Sequence, residues 1–219
     1  MQRTRLAITT TLLIASLAAL GGCNIVGAAT LALYGQGEVK AAYTLDPSKR
    51  TVILIDDPAN KISRTATRVA IGETAQNLLL EKNIIRDGLM IDTTAATVLA
   101  ARDSYENPLS VVEIGQSIDA EIVIYVVVAG FSPITTGFDT EARPTADLTL
   151  TIVDVAEQRA VWPATPGGEP FTVQSPISAN LDQSSRTNRL NAETALARRV
   201  GLALAQMFYD VEVALSARR

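Results

Sequence analysis

The chain has 219 residues, enough for one domain with or without a tail, and 47% of them are hydrophobic while only 5% are aromatic, so its core must be built mainly from Ala, Val, Ile and Leu. It has no histidine and a single cysteine, which excludes Ser-His-Asp and Cys-His catalysis, His-ligated metal sites, an intramolecular disulfide and CxxC pairs. A net charge of −4, with 23 acids against 19 bases, argues against nucleic acid as a partner.

Arg3 and Arg5 precede an apolar run over residues 6–20, and no further charge appears until Glu38. The run has the length of a secretory h-region and ends in Leu20-Gly21-Gly22-Cys23. A charged start, an apolar run and a sole Cys after two small residues resemble a bacterial lipoprotein signal with its lipobox. Gly21 departs from that pattern, where Ala or Ser is commoner. The resemblance implies cleavage between Gly22 and Cys23, diacylglycerol on the Cys23 thiol and acylation of the new amine. Asn24, rather than Asp, follows the cysteine, and in proteobacterial sorting this implies the outer membrane. Two alternatives stand beside this reading: a Cys23 that is merely a small buried hydrophobe, and an uncleaved spanning helix, which Gly21, Gly22 and Gly27 interrupt. Cleavage removes two Arg and no acid, leaving 197 residues with a net charge of −6, so the acyl chains must do the anchoring. Residues 1–22 are thus expected to be signal peptide, 23–37 a lipidated tether and 38–219 one domain.

In that domain, residues 38–45 read as an edge strand before the turn at Asp46-Pro47-Ser48. Residues 51–55 (TVILI) form a continuous β-branched run, the mark of a strand buried on both faces. Residues 65–82 follow as a helix, with Thr67, Ile71, Ala75 and Leu78 on one stripe and Ser63 as its cap. A short strand at 89–91 and a small helix at 94–102, capped by Asp92, come next. Asn107-Pro108 supplies a cap followed by Pro, a helix start for Val111, Ile114 and Ile118.

Residues 121–131, with the core IVIYVVVA, make the strongest strand and the expected centre of a sheet. Residues 146–155 alternate Leu148, Leu150 and Ile152 with Thr149 and Thr151, a period of two that buries one face and wets the other. Residues 159–162 pair back onto it, and 163–188, rich in Pro, Ser, Asn and Gln, read as a long loop. Ala197, Gly201, Leu204, Phe208, Val211 and Leu215 form a seam along a helix from about 190 to 216. Packing on the domain's own sheet is preferred for that seam over a coiled coil, because Ala197 and Gly201 suit close approach. The fold class is α/β: a single-domain sandwich of a mixed sheet packed with helices, closed by a long C-terminal helix.

The pattern from Val52 to Val128 carries a second resemblance. A strand ending VILIDD, a helix ending Leu-Leu-Leu-Glu-Lys-Asn, Ile91-Asp92-Thr93 before a short helix, and IGQSIDAEIVIYVVV with its following amphipathic strand are similar to the periplasmic α/β domain of the curli-secretion channel lipoproteins. The N-terminal domain of the Tol–Pal translocation protein shares it. The likeness covers about half of the mature chain and includes no catalytic motif. It departs from the channel family at residues 132–145, too short and Pro-interrupted for membrane-barrel strands of roughly 9–11 residues, so a shared fold does not imply a shared pore.

Candidate chemistry is sparse. Asp56 and Asp57 end a buried strand, where open α/β sheets bind ligands, and could hold a cation or act as acid and base. The simpler reading makes them turn residues, since neighbours on a strand point oppositely. Arg64 and Arg68, one helical turn apart, could clamp an anion or merely begin a solvated helix. Trp162, the only Trp, is either a partner anchor or a lid on the core. No metal or other cofactor is expected. The expectation is a non-enzymatic binding or assembly module of the cell envelope, lipid-anchored through Cys23 at the outer membrane facing the periplasm. Its partner would be an envelope protein, with self-association as a further option. The alternative is a lipid-anchored hydrolase or small-ligand-binding protein using Asp56, Asp57 and the 163–188 loop.

Overall fold

The two continuous apolar runs lie side by side. In the computed structural model, which describes residues 37–101, 109–133, 143–175 and 185–213, a short strand β1 (Gly37–Val39) precedes the first run, β2 (Thr51–Asp56). The second is β4 (Ile122–Ser132), parallel to β2 from Thr51 opposite Ile122 to Asp56 opposite Val127. Val52, Ile53, Leu54 and Ile55 are no more than 2% exposed, as a strand covered on both faces requires. The two-residue β3 (Met90–Ile91) joins β2 in parallel on its other side. β5 (Thr145–Asp154) runs antiparallel to β4, with a register shift between Val128 and Gly130. Two strands share its outer edge. β6 (Arg159–Trp162) takes Ile152 to Asp154, and β7 (Glu169–Gln174) takes Thr145 to Leu150.

Helices lie on both faces of this mixed sheet, giving the α/β sandwich that the patterning implies. α1 (Thr65–Glu81) and α4 (Arg186–Gln206) cover one face, where Ile53, Ile55, Ile124, Val126, Leu150 and Ile152 meet Ile71, Ala75, Leu79, Leu196, Val200 and Leu204. The shorter α2 (Thr93–Ala101) and α3 (Val111–Ser117) lie on the other, over Val52, Leu54, Val123, Val153 and Val155. Thr93, fully buried, ties the layers together: its hydroxyl donates to the Ile53 carbonyl at 2.8 Å and its amide to Gln76 Oε1 at 3.1 Å.

Several boundaries differ from the expected ones. The stripe of α1 runs through Leu79, fully buried, with Leu78 only partly so. Ser63 caps nothing, because the N-cap is Arg64 and no side chain fills that role. Asp92 does cap α2, its Oδ1 accepting from the Thr94 amide at 2.7 Å. Asn107 and Pro108 lie outside the described residues; α3 starts at Ser110, which forms a capping box with Glu113. Residues 163–188 are not one long loop, since β7 lies within them. The last helix stops at Gln206 rather than near 216, and Val211 sits instead in β8 (Val211–Val213). Gly201 serves helix–helix packing: a Cβ there would lie 2.6 Å from the Ile71 carbonyl oxygen of α1.

The edge strand expected over 38–45 is also shorter. Only Gly37–Val39 is extended, pairing antiparallel with β8 in a separate two-stranded sheet. Beyond it the backbone is held by the end of α4, with the Ala42 amide 2.8 Å from the Met207 carbonyl and the Ala41 amide 2.8 Å from Asp210 Oδ1. Cys23, the signal segment and the tether up to residue 36 lie outside the described residues. No helix among the described residues is long and apolar enough to cross a membrane.

Candidate functional site

Among the described residues, α2 and α3 cover only part of their face of the sheet. Side chains of β2 alternate, so Val52, Leu54 and Asp56 share a face, and the first two meet the α2–α3 layer. Further along, Tyr125 and Val127 of β4 and Thr149 and Thr151 of β5 line an open depression of about 680 Å³. Its other wall is the 163–168 loop between β6 and β7, which contributes Pro163, Pro166 and Gly168, with Arg159 and Val161 at the end of the depression formed by β6. Gly168 has φ +80° and packs so closely on β5 that a Cβ would stand 2.7 Å from Thr151 Oγ1. Only glycine combines that conformation with that approach. The peptide bond between Trp162 and Pro163, where the loop begins, is cis.

Asp56 stands beside this depression, at the carboxyl end of β2. Its Oδ2 accepts a 2.6 Å hydrogen bond from the Tyr125 hydroxyl. Burial, then that hydrogen bond and the carboxylate's charge, hold the phenol well above its usual titration range. Tyr125 is therefore a neutral donor at any ordinary pH. The location matches the rule for open α/β sheets. The chain leaves β2 through α1 on one face and reaches β4 through α2 and α3 on the other, and ligand sites form at the carboxyl ends of such strands.

The other sequence candidates go elsewhere. Asp57 is 6% exposed, and its two oxygens accept from the Lys61 amide at 2.8 Å and the Ile62 amide at 2.6 Å. It is a turn residue, and its carboxylate does not converge with that of Asp56. Trp162 is half-buried against the larger core cluster, its ring 5.9 Å from that of Tyr43. It covers part of the core while remaining partly exposed. Arg64 and Arg68 lie at the start of α1. Arg64 Nη1 is 3.9 Å from Glu193 Oε2, and Arg68 Nη2 donates to Thr65 Oγ1 at 3.3 Å.

A second depression, of about 270 Å³, is lined by Tyr43, Lys49, Ile122, Asp154 and Val161 among others. Its charged groups are already matched. Lys49 Nζ lies 2.7 Å from Asp154 Oδ2, while Asp154 Oδ1 accepts from the Ala156 and Glu157 amides at 3.0 Å each. The lysine contact and the turn amides lower the Asp154 carboxyl from its ordinary range, and the same pairing raises the Lys49 ammonium. Among the described residues no group of three or more Cys, Asp or Glu is placed to hold a metal ion.

This arrangement defines a three-layer α/β sandwich in which, among the described residues, one sheet face is half open. No protein-family model matches the chain, and no curated protein matches it significantly. Solved structures match it at low identity. The PelC dodecamer from Paraburkholderia phytofirmans is 13% identical over 80% of this chain and 96% of that one, with a TM-score of 0.43. The hypothetical protein CT253 from Chlamydia trachomatis is 13% identical over 73% and 94%, with a TM-score of 0.45. Lipoprotein GNA1162 from Neisseria meningitidis is 11% identical over 67% and 94%, with a TM-score of 0.38. Likeness at this level assigns no function to the chain.

Proposed function

We propose that this chain is a non-enzymatic binding module of the cell envelope, held through lipid on Cys23 at the outer membrane and facing the periplasm, which engages a partner protein through the open half of its sheet. The observation that carries the reading is the Tyr125–Thr149–Thr151 face. The fold leaves it uncovered among the described residues, and the carboxylate beside it, that of Asp56, is engaged by Tyr125, while Asp57 serves a turn and Asp154 pairs with Lys49 elsewhere. Hydroxyls beside Val127, Val161 and prolines suit a partner's backbone and side chains. The hydrolase alternative calls for two converging carboxylates, and among the described residues Asp56 is the one beside the depression. Self-association belongs to the same reading and is read out with it.

Crosslinking in intact cells followed by affinity recovery tests the module. A discrete crosslinked species, either a second protein or a multiple of the chain, is expected; recovery of monomer alone under every condition contradicts it. Metabolic labelling with a fatty-acid analogue tests the anchor, with label expected on the wild type and lost in Cys23→Ala. Equal labelling and processing of both would contradict lipidation.

A further inference from the structure

α1 and α4 are packed parallel. Thr67 donates its hydroxyl to Glu193 Oε1, and further along Gly201 packs on the Ile71 carbonyl and Thr74, so positions advance together on both helices. Their N-terminal ends therefore share one end of the domain, and α4 extends beyond α1 there. Arg186 lies seven residues before Glu193, about 10 Å at 1.5 Å per residue, and Arg189 lies on the same helical stripe as Glu193.

This end gathers cations. Lys61, Arg64, Arg186 and Arg189 are exposed and Arg68 is half-buried. In residues 58–70 and 185–194 the only acid is Glu193, already engaged by Thr67 and Arg64. The whole chain is net acidic, so composition does not explain the concentration. Neither helix start has a side-chain cap or a first-turn acid, and the arginines stand where the helix dipole disfavours positive charge, at a cost to folding. Arg68 Nε is the one buried side-chain nitrogen or oxygen without a hydrogen-bond partner among the described residues. Arg186 and Arg189 have no ion pair among those residues.

We propose that this end of the α1–α4 pair is a docking surface for an acidic, carboxylate-rich segment of a partner protein. Guanidinium groups, four of the five cations, pair bidentately with carboxylates. Neither depression includes any of the five, so the surface suits an extended partner better than a small anion. A membrane surface fits poorly. The tether enters at β1, which pairs with β8 just past the C-terminal end of α4, at the far end of a 21-residue helix about 30 Å long. The proposal rests on the anchored-module reading and gives it a second contact surface.

Binding of fluorescent oligoglutamate to the purified chain tests it, with Arg186→Gln/Arg189→Gln against Arg198→Gln/Arg199→Gln. The latter pair is exposed on the outer side of α4. Salt-sensitive binding is expected, weakened about tenfold or more by the first pair and left within about twofold by the second. Circular dichroism checks that both variants fold, and Arg64→Gln supplies an independent loss if either does not. Equal losses in the two double variants, absence of binding, or tighter Arg186/Arg189-dependent binding to phosphatidylglycerol vesicles would overturn it. Failure of the anchored-module reading shows differently, as absent lipid label and absent crosslinks in cells, while failure of this proposal leaves both intact.

Discussion

The Tyr125 hydroxyl donates to Asp56 Oδ2 at 2.6 Å, joining the centre of β4 to the carboxyl end of β2 on the face that the helices leave open. That bond fixes a phenol and a carboxylate together, and it makes the phenol the group to titrate. Absorbance of tyrosinate should show Tyr125 ionising well above the usual tyrosine range in the wild type, with the part of that rise due to Asp56 lost in Asp56→Asn and the larger part due to burial kept. Because the folded state raises this pKa, its stabilising contribution is complete below about pH 10 and is lost as pH rises beyond that. A Tyr125→Phe variant should lose about 1 kcal/mol at neutral pH by chemical denaturation and show a shallower decline in alkali. An unchanged alkaline profile would contradict the bond.

Asp154 predicts the opposite end of the pH scale. Its carboxyl is lowered by Lys49 and by two turn amides, so its contribution is present above the ordinary Asp pKa of about 4 and lost as pH falls through the folded value. Asp154→Ala, at a site 4% exposed, should cost about 1–3 kcal/mol at pH 7 by urea denaturation, and the gap to wild type should narrow in acid. A gap that stays constant down to pH 2 would refute the assignment.

At Gly201 the α4 backbone lies close against α1. Gly201→Ala would place a Cβ 2.6 Å from both the Ile71 carbonyl oxygen and Thr74 Cβ, forcing the helices apart at a cost of about 1–3 kcal/mol despite alanine's better helix propensity. Thermal denaturation that shows no loss would mean that the helices yield more easily than this packing implies.

Much of the fold was legible because its signals are local. TVILI is a continuous run of the kind a doubly covered strand needs, IVIYVVVA marks the centre of the sheet, and the Thr149–Thr151 alternation announces a half-wet strand. β7 was hidden because Pro163, Pro166, Gly167, Gly168 and Pro170 read as punctuation, though Phe171 and Val173 alternate with Thr172 and Gln174 in a strand's period. The end of α4 was missed because Val211 happens to continue the helical spacing. No Gly or Pro marks the stop, and pairing of β8 with β1 overrides local preference. At the site, Asp56 was found from its place at a strand end. Its partner Tyr125 was not, although a lone tyrosine in an otherwise apolar strand was the available signal.

The central claim is that the open sheet face engages a partner. Photo-crosslinking residues placed singly at Thr149, Thr151 and Asn77 in the lipidated chain test it most directly in intact cells. The account predicts a discrete adduct from Thr149 and Thr151, which line the depression, and none from Asn77, which is exposed on α1 on the other side of the sheet. Adducts from Asn77 alone, or from none of the three, would contradict it.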